Sequence, residues 1–114
     1  MGRPSISEQR RIEIGRALQT CMIQNGSYES TSVKDIAQQA GIATGLLHHY
    51  FSSKDEILLL MADASLLSIT NLLEDLLHAR QADQREEKLQ ELLSNREQAQ
   101  FLLMLQTLAL SMPQ

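Results

Sequence analysis

The sequence predicts an all-α fold, a three-helix helix-turn-helix unit followed by a partial set of further helices. Three observations carry that prediction. Proline occurs only at Pro4 and Pro113, so nothing between them breaks a helix. The apolar residues, 43% of the chain with leucine the commonest, recur at the i, i+3, i+4 spacing of a helical face. No alternating β-branched run of the kind that makes a half-buried strand is present. A length of 114 residues suits one domain.

Charge and cysteine usage narrow the class. The net charge is −4, but residues 1–55 carry +1 and residues 56–114 carry −5. Only the first part therefore offers a surface tolerant of phosphate, and affinity for a polyanion would depend on a few well-placed groups. Cys21 is the single cysteine, so neither an intrachain disulfide nor a CxxC zinc site can form. That usage fits a reducing, cytoplasmic setting. The start, MGRPSISEQRR, lacks the apolar core of a signal peptide. The uncharged run at residues 98–114 contains four Gln and falls short of the roughly 20 apolar residues that span a bilayer. No membrane partner is expected.

Met1 to Ser7 reads as an arm carrying Arg3, and Ser7 to Asn25 as helix 1 with Ser7 as its cap. Ile14, Ala17, Leu18, Cys21 and Met22 form its apolar stripe, which makes Cys21 a core residue rather than a nucleophile. Gly26 ends the helix. Ser32 to Phe51 then reads as two short helices about a glycine. Ser32 with Asp35 has the form of a capping box. Val33, Ile36, Ala37 and Ala40 share a face, Gly41 stops the helix, and Ile42 seals the turn. Leu47, Tyr50 and Phe51 give the second helix its buried side. Thr44, Gly45, Leu46, His48 and His49 are left facing outward. Helices this short cannot stand alone, since isolated helices need about 12 to 15 residues. A presented pair with a polar outer side has the build of a helix-turn-helix, although an αα-corner inside a helical domain has the same spacing.

Ser53 with Glu56 makes another capping box, opening a long helix from about Lys54 to about Ala79. Its stripe is Leu58, Ala62, Leu66, Ile69, Leu73, Leu76 and Leu77, with Leu59, Leu60 and Leu67 beside it. Residues 80–85, RQADQR, form a polar break. Helix 5 is expected from near Gln84 with Leu89, Leu92 and Leu93 inward. Asn95 with Gln98 can cap a sixth helix bearing Phe101, Leu102, Leu105, Leu108, Ala109 and Met112. One continuous helix over both segments is equally compatible with the pattern.

The run from Tyr28 to Leu58, YESTSVKDIAQQAGIATGLLHHYFSSKDEIL, resembles the N-terminal domain of the TetR family of bacterial transcriptional regulators. The Thr-Ser-Val, Asp-Ile-Ala and Ala-Gly-Ile elements, the glycine in the next helix, the aromatic pair ending in Phe, and Lys-Asp-Glu-Ile-Leu occur in that family's order and spacing. The Gly-Arg-Pro start also fits. The resemblance is specific over roughly the first 60 residues. It implies a DNA-binding domain over residues 1–53 and a linker helix with a partial ligand-binding or dimerisation domain over residues 54–114. Members normally continue for several helices, so a fragment or a truncated member is expected.

Carried over by position, the resemblance implies that Thr44, Gly45 and Leu46 lie against base edges and that His49 reaches a base. His48, Tyr50 and Lys54 would bond phosphates on one strand, and Thr31, Ser32 and Lys34 on the other. Four positions depart from the family pattern. Ala43 stands where Ser is common and loses a cap. Thr44 replaces Lys or Arg, Leu46 replaces Thr, and His48 replaces Tyr. The implied function is a sequence-specific DNA-binding regulator, a repressor released by a small, partly apolar effector. Its implied partner is an inverted-repeat duplex, bound as a homodimer. The alternative is a helical protein-interaction module whose leucine-rich helices 4 to 6 are the working surface. Neither an enzyme nor a cofactor is expected, because no paired carboxylates, nucleophile set or phosphate-binding glycine loop is present. Adjacent helix residues such as His48 and His49 do not share a face, so no metal site is expected either.

Overall fold

The computed structural model describes residues 5–78 and 82–111. It contains six helices: α1 (Ile6–Asn25), α2 (Val33–Ala40), α3 (Thr44–Tyr50), α4 (Lys54–His78), α5 (Ala82–Ser94) and α6 (Arg96–Ser111). Among the described residues there is no strand, as expected. The radius of gyration is 16.1 Å, against about 13 Å for a compact domain of this length.

α1 starts two residues earlier than expected. Ser5, not Ser7, is the cap: its Oγ accepts from the Glu8 amide at 3.1 Å, and the Glu8 carboxylate accepts from the Ser5 amide at 3.3 Å. The sequence offers this Ser-x-x-Glu box openly, so the signal was present. The expected arm shrinks accordingly, and Arg3 lies outside the described residues.

One core is shared by α1, α2, α3, α4 and α6. Ile14, Leu18 and Met22 of α1, Ile36 of α2, Leu47 of α3, Phe51, Ile57 of α4 and Phe101 of α6 are buried together. Fully burying such a side chain contributes about 1.5–3 kcal/mol, so α3 is anchored largely through Leu47 and the Phe51 that follows it. α1 and α4 approach closely at Gly15, where a Cβ would stand 2.6 Å from Met61 Sδ. The core therefore runs across residue 53.

The stripe expected on α4 is corrected. The buried line is Ile57, Leu58, Met61 and Ser65, while Leu66, Leu73 and Leu77 are exposed. Periodicity locates an apolar face but not the length over which a neighbour covers it. Here full burial ends at Ser65; Ile69, Leu72 and Leu76 beyond it are half-buried, and α5 also packs against this helix. Among the described residues α4 is also the one helix long and apolar enough to cross a bilayer; a search for uncharged runs passes over it because Asp63 interrupts it. Its first turns are spent on the protein core instead.

α5 and α6 are separate helices. Asn95 Oδ1 accepts from the Gln98 amide at 3.1 Å, and the two side-chain amides meet at 2.7 Å. Leu89 is exposed rather than inward. Leu92 and Leu93 carry side chains outside the described set, and Met112 lies outside the described residues. On α6, Phe101 is buried, Met104, Leu105 and Leu108 pack against the core, and Leu103, Ala109 and Leu110 are exposed.

Candidate nucleic-acid interface

The α2–turn–α3 unit is built by local chemistry. Ser32 Oγ accepts from the Asp35 amide at 3.0 Å, and the Asp35 carboxylate accepts from the Ser32 amide at 3.1 Å. Those hydrogen bonds hold the Asp35 carboxyl below its ordinary range, with Lys34 adding a smaller effect in the same direction. At the other end Gly41 has φ 73°, the left-handed conformation that side-chain-bearing residues avoid. The Gly41 amide donates to Gln38 O at 3.1 Å and the Ile42 amide to Ala37 O at 3.0 Å, the paired bonds of a Schellman stop. Ile42 packs against the core below.

α3 is presented as a ridge. Leu47 is buried and Tyr50 half-buried, whereas Thr44, Gly45, Leu46, His48 and His49 are exposed. Leu46 is 39% exposed, an apolar side chain held at the surface among polar ones. A Cβ placed on Gly45 would meet no atom within 4 Å. Glycine within a helix costs about 0.5–1 kcal/mol relative to alanine, and here no internal packing requires it. The backbone at this point is open to close approach from outside. His49 and Tyr50 stack edge to face, with ring centres 5.3 Å apart. Ala43 makes no side-chain cap, as its type dictates.

The end of α3 is held by a residue the sequence reading missed. Arg11 of α1 donates from Nη1 to the Tyr50 carbonyl at 2.7 Å, and its guanidinium carbon lies 4.4 Å from the centre of the Phe51 ring. A cation at a helix C-terminus satisfies a terminal carbonyl and favours the dipole. Thirty-nine residues separate the partners, so no local pattern signals the pair.

Two of the candidate phosphate contacts are placed differently from expectation. Thr31 is buried; its hydroxyl donates to the Ser27 carbonyl at 2.9 Å, so its side chain has no surface to offer a phosphate. This corrects its assignment. Lys54 is half-buried, and its Nζ donates to the carbonyls of Tyr28 and Thr31, both at 2.9 Å, while lying 3.9 Å from the centre of the Tyr28 ring. An ammonium has three donors, so one remains for an outside acceptor. The Tyr28 hydroxyl donates to the Asp55 carboxylate, and burial followed by this bond pushes the phenol well above its ordinary range. Ser32 and Lys34 are exposed, beside one another at the start of α2.

α4 begins with half of the expected box. Ser53 Oγ accepts from the Glu56 amide at 3.3 Å, but the Glu56 carboxylate turns to Ser52, accepting from its amide at 3.0 Å and its hydroxyl at 2.5 Å. The Ser52 hydroxyl, then its amide, lower the Glu56 carboxyl. Cys21 is buried with its thiol directed at the Asp35 carbonyl, and burial raises its pKa. Among the described residues no His, Cys, Asp and Glu cluster could hold a metal ion.

Residues 21–61, which include this unit, match the family model of bacterial regulatory proteins, tetR family. Two curated relatives match part of the chain. The HTH-type transcriptional regulator PksA of Bacillus subtilis (strain 168) is 41% identical over 51 residues, 45% of this chain and 24% of that protein. The HTH-type transcriptional regulator HbdR of Aromatoleum sp. (strain CIB) is 39% identical over 57 residues, 50% of this chain and 24% of that protein. The match thus spans about a quarter of each curated relative. No solved structure matches significantly. With its cap, glycine stop and outward-facing second helix in place, the segment 21–61 is similar to the bacterial regulatory proteins of the tetR family.

Proposed function

We propose that residues 1–53 read duplex DNA and that residues 54–114 link this reading to a partner or ligand, in a regulator that represses transcription from the cytoplasm until a small effector releases it. The observation that carries the proposal is the outer face of α3, where an open glycine is flanked by Thr44, Leu46 and His49 on a helix pinned from below. Thr44 supplies a hydroxyl that donates or accepts at a base edge, Gly45 lets the backbone come near, and Leu46 meets a thymine methyl. His48, Tyr50 and the third donor of Lys54 serve phosphates on one side, and Ser32 and Lys34 serve the other. The first relatives, both named as HTH-type transcriptional regulators, support the reading.

Two copies acting on an inverted repeat follow from the modest positive charge of residues 1–55, which leaves one copy with few phosphate contacts. Selection of bound sequences from a random duplex pool tests this. Enrichment of a two-fold symmetric site is expected, and unenriched recovery defeats the reading. The alternative, an interaction module, draws on the exposed Leu66, Leu67, Leu73 and Leu77 of α4. It needs nothing from Thr44 or Leu46, so substituting them separates the two.

A further inference from the structure

A cleft of about 380 Å³ lies between α6 and the loop that leads from α1 to α2. Its volume is in the range of small-molecule sites, roughly 300–1,000 Å³. Leu103, Met104 and Leu108 of α6 make its apolar wall, facing Tyr28 and Glu29 of the loop. Thr107 spends its hydroxyl proton on the Leu103 carbonyl at 3.0 Å, and Ser111 spends its proton on the Leu108 carbonyl at 2.8 Å, so both present lone pairs outward. Gln100 adds a side-chain amide that both donates and accepts. Glu29 adds an exposed carboxylate, and no Lys, Arg or His is among the described residues that line the cleft.

We infer that this cleft is a binding site for a small organic cation, an apolar body carrying an amine, with the body against Leu103, Met104 and Leu108 and the ammonium toward Glu29. A carboxylate ligand of the same shape is repelled by Glu29. A second, larger cleft of about 500 Å³ between α1, α4 and α6 has both Arg16 and Glu97 on its wall and selects no charge in this way.

The site adjoins the helix-turn-helix through Tyr28. That residue lines the cleft, donates to Asp55, and gives its carbonyl to Lys54, which also holds the carbonyl of Thr31 directly before the Ser32 cap. An amine seated against Tyr28 therefore bears on the segment that sets the start of α2. The consequence for DNA rests on the functional reading above; the binding itself does not.

The probes are 4-phenylbutylamine and its charge-reversed partner 4-phenylbutyrate, titrated into the full chain by calorimetry. The amine is expected to bind and the carboxylate to fail. Glu29→Gln should weaken the amine about tenfold, the loss of one charge-assisted contact, with an unchanged melting temperature in the absence of ligand. Thr107→Trp, at an exposed position on the wall, should abolish binding by filling the cleft. No binding of the amine, equal binding of both probes, or an amine affinity indifferent to both substitutions overturns the site. In a parallel duplex titration the amine should lower affinity in the parent chain and leave Glu29→Gln unaffected. Binding of the amine with no such change overturns the coupling alone, whereas a chain that binds no duplex at all overturns the DNA reading and leaves the site standing.

Discussion

Arg11 of α1 and Tyr50 of α3 are joined by a 2.7 Å hydrogen bond from the guanidinium to the main-chain carbonyl, beneath the helix proposed to meet DNA. The same guanidinium lies over the Phe51 ring, so one side chain both caps α3 and ties it to the longest-packed helix of the domain. Arg11→Ala should destabilise the fold by about 1–2 kcal/mol, since a hydrogen bond from a charged group and a cation–π contact are lost together. Duplex affinity should fall further than the folded fraction explains. Denaturant titration beside a binding isotherm checks both, and an unchanged stability would show the contact to be idle.

Gly45→Ala separates folding from recognition. A Cβ there meets open space, so the chain should become more stable by about 0.5–1 kcal/mol. Duplex binding should nevertheless weaken, because the added methyl stands between the backbone and the base edges. The two measurements moving in opposite directions would be hard to produce by any purely structural role.

Lys54→Ala should cost both stability and affinity. Two carbonyls, those of Tyr28 and Thr31, lose their shared donor, and we expect a loss of about 1–2 kcal/mol in denaturant titration. If the third ammonium donor meets phosphate, affinity falls similarly for all sequences and the salt dependence becomes shallower by about one unit of slope. A salt slope identical to that of the parent chain would confine Lys54 to the loop.

Acid should loosen the ends of α2 and α4. The Asp35 and Glu56 carboxyls are both held below their ordinary range by the serines they bond, so folding favours their charged forms. That contribution is complete above the unfolded carboxylate range of about pH 4 to 4.5 and is lost as pH falls below it, through the lowered values of the folded state. Asp35→Asn should flatten part of the decline in melting temperature with falling pH. Tyr28 works at the other extreme: folding favours its neutral phenol, so stability is lost as pH rises beyond about 10.

His48 and His49 are exposed on or beside the proposed DNA face. Each ring offers a nitrogen to a phosphate or a base edge, so replacing both with Ala should weaken duplex binding with little change in stability. An unchanged affinity would exclude them from contact.

The parts of this fold that were legible in the sequence are those made by neighbours along the chain. Ser32 with Asp35, Gly41, and the apolar spacing through Phe51 contain all the chemistry that forms α2, its stop and the outward set on α3. The two phosphate assignments that shifted did so because burial depends on distant residues. Thr31 is enclosed by the α1–α2 loop, and Lys54 is drawn to carbonyls 23 and 26 residues away. The stripe on α4 failed for a similar reason. Its leucines have helical periodicity along its whole length, but full burial ends near Ser65. Arg11 left no local trace at all, whereas the Ser5 box was readable and only the choice between two serines was wrong.

The most direct measurement is amide and side-chain resonance mapping of the full chain on addition of a duplex taken from the pool selection. The account predicts that the largest perturbations fall on residues 44–50 and on Ser32 and Lys34, with the buried Leu47 shifting less than Leu46. Perturbations concentrated on Leu66, Leu73 and Leu77 of α4, with α3 unmoved, would contradict it.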